Sequence, residues 1–161
     1  MSTERDDLLA TLATQRHFLR HTVRDLTDEQ AALRPTRSEL CLGGLIKHVA
    51  QTEDDWLHFA VGGAEAMTID PETWLGKFQM TANDTLAAIL DQYAQVAERT
   101  SELVGTLDLD TSYELPRRPW FEPGARWSVR RVLLHVLRET AQHAGHADIL
   151  RESIDGAKTM G

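Results

Sequence analysis

One cysteine in 161 residues, Cys41, rules out an internal disulfide framework and any cysteine-rich zinc site. No apolar run approaches the roughly 18–20 residues that span a bilayer. The start of the chain is acidic and lacks the basic-then-apolar order of a signal peptide. A soluble, cytoplasmic protein with no membrane partner is expected. Sustained period-2 alternation is nearly absent, which leaves little room for a sheet core. Positive charge is in deficit, with 17 Lys and Arg against 25 Asp and Glu, a formal net charge of −8. That balance argues against duplex nucleic acid, which needs basic footprints to displace counterions. A local basic stretch, Arg117, Arg118, Arg126, Arg130 and Arg131, is small and suits a small anionic ligand better than a phosphate backbone.

What is present is ordinary globular composition, 42% hydrophobic and 26% charged, which excludes a disordered chain. The length fits a single domain over residues 1–161. Helical periodicity runs through every long segment. About residues 4–24 repeat Leu8, Leu12, Phe18/Leu19 and Val23. Thr27 to Gln30 forms a capping-box pattern that opens a short turn ended by Pro35. A second long helix is expected over roughly 40–61, with Leu42, Leu45, Val49, Trp56 and Phe59 inward and Gly62-Gly63 as its stop. Asp70-Pro71-Glu72 reads as a cap and first turn carrying Trp74 and Phe78 inward. Thr81 to Asp84 opens a third helix with Leu86, Ile89/Leu90, Tyr93, Val96 and Leu103 on its apolar face. Residues 105–126 form a long proline-punctuated connection that folds Trp120 and Phe121 onto the bundle. Ser128 caps the last helix, about 128–154, which ends at Gly156. Four long helices with one long crossover predict an all-α, antiparallel four-helix bundle.

The last helix carries ionisable groups where apolar ones belong. Steps of three and four residues give Val129, Val132, Val136, Glu139, His143, His146 and Leu150. A carboxylate on a buried face costs several kcal/mol unless it is paired or holds a metal. Glu139 and His143 share one face a turn apart, and His135 lies another turn upstream. On the second helix His48 sits on or beside the inner stripe. Facing helices would bring His48, Glu139 and His143 to one point, and three N/O donors with an open position are the usual layout of a catalytic zinc site. Ni, Co, Fe or Mn also suit that set. Against this stands the plainer reading, a hydrogen-bonded core histidine with Glu139 paired to Arg16 or Arg20. His17, His21 and His58 are expected at the rim or surface, and Cys41 as an inert buried thiol. The four tryptophans are expected as core and crossover anchors. Glu53 and Asp54 are expected to face solvent, with Glu53, His146 and Asp148 as candidates to orient ligands from behind.

Leu42-Gly-Gly-Leu-Ile-Lys-His48 with Glu53-Asp-Asp-Trp56, and the strings from Trp127 to His135 and from Glu139 to Glu152, resemble the DinB-like superfamily over essentially the whole chain. Many such proteins use three histidines, two of them as H-x-x-x-H. Here the first of that pair is Glu139, as in the mycothiol-dependent maleylpyruvate isomerases. The resemblance implies a bundle with a divalent metal on His48, Glu139 and His143. It also implies thiol chemistry with mycothiol or a related cofactor and an electrophilic substrate. In that reading no protein cysteine supplies the sulfur, and Arg117, Arg118, Arg126 and Arg130 are candidates to hold acidic groups of cofactor or substrate. Two rivals stand beside it: a metal-dependent hydrolase with His146 or Glu53 as base, and a non-catalytic metal-binding stress-response protein. Exposed aromatic residues in the crossover permit a homodimer.

Overall fold

The computed structural model describes residues 3–67 and 76–159. The Asp70-Pro71-Glu72 start and the inward Trp74 lie outside the described residues. In chain order the elements are α1 (Glu4–His21), α2 (Asp28–Ala31), α3 (Leu42–Gly62), a 3₁₀ turn (Ala64–Ala66), α4 (Leu86–Thr106), β1 (Ser112–Glu114), β2 (Arg126–Ser128) and α5 (Val129–Asp155). α1 and α3 both pack on α5, and α3 also packs on α4, so the four long helices form the expected four-helix bundle.

The helices begin where side chains take up orphan backbone donors. Thr3 and Thr27 accept from the backbone N–H three residues on, and Asp6 and Gln30 return the bond to the cap backbone. Ser128 accepts from the Arg131 N–H and starts α5, while Gly156 ends it in the left-handed region at φ 79°. One start differs from expectation. Thr81 to Asp84 is a turn before α4, tied by the Asp84 carboxylate to the Thr81 N–H at 2.7 Å. Thr85 is the cap, accepting from the Ala88 N–H.

The long connection also holds a feature too short for period-2 analysis. β1 and β2 pair antiparallel, with Tyr113 opposite Trp127. Tyr113 packs against Gly63, whose φ of 75° favours glycine, and its hydroxyl donates to the Val61 carbonyl at 2.9 Å. The hairpin is thereby pinned to the end of α3.

Two apolar clusters fill the bundle. Leu19, Val49, Tyr93 and Ala144 belong to one; Leu12, Trp56, Val104 and Val136 belong to the other. Between them each long helix contributes a buried polar residue: Arg16, Glu53, Thr100 and Thr140. The Arg16 guanidinium binds both Glu53 oxygens, and the Thr100 hydroxyl donates to Glu53 Oε1 at 2.7 Å. Glu53 is thus in mid-core, 1% exposed, instead of facing solvent. Arg16 serves Glu53 and Arg20 caps the Leu90 carbonyl at 3.1 Å, so neither is the partner of Glu139.

The first turn of α3 is glycine because another segment crosses it. A Cβ on Gly44 would stand 1.9 Å from the Phe78 carbonyl oxygen and 2.3 Å from its carbon, both backbone atoms. Gly44→Ala should destabilise the protein by about 1–3 kcal/mol, and denaturant unfolding will show it as a lower midpoint. Displacing Phe78 would also loosen its ring from His48, where the centroids lie 4.1 Å apart.

Candidate metal centre

α3 and α5 place His48, Glu139 and His143 together: one donor atom from each lies within 4.8 Å of the others. Among the described residues this is the group of His, Cys, Asp and Glu side chains with such a geometry. His48 and His143 are buried and Glu139 is half-buried. The two imidazoles meet edge to face at 4.9 Å, and His143 Nε2 lies 3.7 Å from Glu139 Oε2. Burial is the main force holding His48 neutral, with a pKa pushed down to about 3; neighbouring His143 and Lys77 add to it and Glu139 opposes it. The contact with His143, aided by His135 and Arg138, holds the Glu139 carboxyl down at about 2 against burial. The group is therefore two imidazoles, one of them held neutral, and one anion, which is the protonation pattern that metal ligation needs.

The fit to a cation rests on one further atom. Nδ1 of His48 is buried and has no hydrogen-bond partner. A buried polar atom left unmet costs about 1–3 kcal/mol, and here it sits on a residue of the donor cluster.

Behind the cluster stand two supports. His146 brings its Nδ1 to 3.3 Å from the Nδ1 of His143, opposite the nitrogen that faces Glu139. Arg138 donates to Glu139 Oε1 at 2.6 Å and meets His135 Nδ1 at 3.2 Å. The two oxygens of Glu139 are thus divided, one to Arg138 and the other toward His143. Asp148 does not stand with them; its carboxylate accepts from the Thr159 N–H at 2.7 Å and anchors the chain after α5. Glu53 is likewise elsewhere, locked to Arg16 and Thr100.

The cluster opens into a cleft of about 630 Å³. Its floor is aromatic: Trp56 stacks on Trp127 at 4.8 Å, with Phe121 and His135 against both. Burial holds His135 neutral, its pKa down to about 4. Trp120 lines the rim and is 63% exposed, so it is not folded onto the bundle as the sequence suggested. Cys41 is buried, directs its sulfur at the Phe78 carbonyl, and does not line the cleft.

The basic residues sort differently from their order in the chain. Arg118 lines both the cleft and a separate hollow of about 410 Å³ made within residues 114–124, whereas Arg117 lines that hollow and not the cleft. Arg126 is spent on the Ser112 carbonyl, and Arg130 on Glu4 and Asp110. The cleft instead takes Arg131, Arg138 and Lys77. Arg131, His135 and Glu139 recur every four residues, a face that could have been found by stepping back from Glu139.

Asp55, also in the cleft, has its carboxyl raised to about 6 by burial and by neighbouring Asp54. A folded-state pKa above the unfolded value removes stability as pH rises from about 4 to about 6. Because the group is only half-buried, solvent screening limits the effect. Asp55→Asn should therefore add about 1 kcal/mol at pH 7 and almost nothing at pH 4, a difference that thermal unfolding at the two pH values will read.

Two solved structures share the architecture. A conserved protein from Enterococcus faecalis is 16% identical, covers 98% of this chain and 100% of its own, and gives a TM-score of 0.67. YfiT from Bacillus subtilis, described as a probable metal-dependent hydrolase with an unusual four-helix bundle topology, is 15% identical over 93% of this chain and 87% of its own, with a TM-score of 0.69. At such identities the likeness is one of fold. No curated protein matches the sequence. The family model for mycothiol S-transferase matches residues 7–156.

Proposed function

The chain belongs to the mycothiol S-transferase family of DinB-like four-helix bundles, and from that premise we propose that it binds a divalent cation on His48, Glu139 and His143 and joins a low-molecular-weight thiol to an electrophile. The observation that carries this reading is the cluster itself: a carboxylate and two imidazoles within 4.8 Å, one imidazole nitrogen buried and unmet, at the head of a cleft large enough for a small organic ligand. Two imidazoles and one carboxylate form a donor set of the zinc type.

When bound, such a cation supplies Lewis acidity, which keeps a thiol sulfur deprotonated at neutral pH. The remaining work falls to this chain's own residues. Neutral His48 keeps a lone pair available, and His146 fixes the ring of His143 from behind. Arg138 holds one oxygen of Glu139 and leaves the other to the cluster. The aromatic floor offers an apolar surface for the body of a small organic ligand. Cys41 lies outside the cleft, which favours a sulfur brought by the cofactor. Of the two bases named for a hydrolytic reading, Glu53 is bound to Arg16 and Thr100 and His146 stands behind His143, and neither lines the cleft.

Calorimetric titration with mycothiol tests the proposal. The zinc-loaded protein is expected to bind the thiol, and the chelator-treated protein to bind it far more weakly. Equal binding by the two forms would refute a role for the cation in holding the sulfur.

A further inference from the structure

Most arginines of this acidic protein are engaged by carboxylates or backbone carbonyls: Arg16 with Glu53, Arg99 with Asp54, Arg130 with Glu4 and Asp110, Arg138 with Glu139, Arg151 with Asp155, Arg126 with the Ser112 carbonyl. Arg131 and Arg118 differ. Both line the cleft, and no carboxylate among the described residues pairs with either. Arg131 is nevertheless held in place, its guanidinium 4.8 Å over the ring of Trp127. A cation–π contact of this kind positions the group while leaving its N–H donors unused. Among the described residues, the carboxylates that line the cleft do not neutralise the pair. Glu139 is taken by Arg138 and the metal cluster, and Asp55 interacts with Lys77.

α5 also sets a length. Arg131 precedes Glu139 by eight residues on the same face, which is about 12 Å along the helix axis. The Trp56, Trp127 and Phe121 floor lies at the Arg131 end. A cationic fork, an apolar floor and a metal cluster thus follow one another along a single cleft.

The geometry points to an anion subsite at Arg131 and Arg118 that takes the carboxylate of an elongated organic acid, whose apolar body lies on the aromatic floor and whose reactive end reaches the triad. This names the substrate class for the function proposed above and rests on that reading for the reactive end. The planar fork of arginine matches a carboxylate, and a positive cleft in a protein of net charge −8 concentrates anions at this one place.

Binding of 4-phenylbutanoate and of the neutral 4-phenylbutan-1-ol to metal-free protein tests the subsite, read by calorimetry and by the fluorescence of Trp127 and its neighbours. The acid should bind about tenfold or more tightly than the alcohol, and the preference should shrink as salt is raised. Arg131→Gln should abolish the preference, and Arg117→Gln, outside the cleft, should leave it intact. If thermal unfolding shows Arg131→Gln to be misfolded, Arg118→Gln decides by the same criterion. No binding of the acid, equal binding of the alcohol, or an unchanged preference in the deciding variant overturns the proposal. Titration of zinc into the same preparations, read as the stoichiometry bound, separates the two readings. Acid preference without zinc binding leaves the subsite standing and removes the metal; zinc binding without acid preference does the reverse.

Discussion

His143→Ala will lower the affinity for a divalent cation by about 100-fold or more. Removing a partner that merely orients a ligand costs about 10–100-fold, and removing a ligand costs at least as much. The remaining His48 and Glu139 sit on different helices, so they make no chelate that survives by local geometry alone. His146 does not replace the lost ring, because its Nδ1 faces the far side of His143, away from Glu139. His146→Ala is expected to retain the metal with an affinity reduced about tenfold. Arg138→Gln tests the other support in the same way. Metal content after gentle purification, with competitive titration against a chromophoric chelator, gives all three values. Stoichiometric, tightly held metal in the His143 variant would assign the cation to a different set of residues.

Glu53→Ala will cost about 3–5 kcal/mol of folding stability, because it strands the guanidinium of Arg16 between two apolar clusters. For a chain of this length each kcal/mol corresponds to about 2–4 °C, so a fall in Tm of about 6–20 °C is expected. Arg16→Ala strands Glu53 and should cost a similar amount. The paired replacement Arg16→Met with Glu53→Leu should recover most of the loss, since a buried ion pair is commonly replaced by apolar side chains at little cost. Thr100, which also donates to Glu53 Oε1, limits that recovery. Thermal unfolding of the parent protein, the two alanine variants and the Arg16→Ala/Glu53→Ala double variant measures the coupling as a double-mutant cycle. Additive losses would mean that the two groups do not act as a pair.

The contrast between these two sets of residues explains what the sequence could and could not show. His48, Glu139 and His143 were legible because each interrupts an apolar stripe at helical spacing, where a polar residue is costly without a reason. The packing of α3 on α5 followed from the same stripes. Glu53 was not legible. It begins the acidic run Glu53-Asp54-Asp55, which resembles a solvated face, and its partner lies 37 residues away on another helix. Arg138 was missed, and Arg131 and His135 were named without being placed in the cleft, for a different cause. The steps of three and four from Val129 trace the buried stripe, while these residues occupy the neighbouring face that borders the cleft. Arg126 and Arg130 were misplaced because closeness in the chain says nothing about the Ser112 carbonyl, Glu4 and Asp110 that engage them. The β1–β2 hairpin has three residues per strand, below the length at which alternation registers.

We propose that His48, Glu139 and His143 hold a cation whose open position receives a thiol sulfur. Cobalt substitution reads this directly, because cobalt bound to thiolate sulfur has a near-ultraviolet charge-transfer band that cobalt bound only to nitrogen and oxygen lacks. The cobalt protein, with one equivalent of metal bound, is expected to gain this band on titration with mycothiol, and the His143→Ala variant is not. A cobalt protein saturated with mycothiol that shows no sulfur-to-metal band would contradict it.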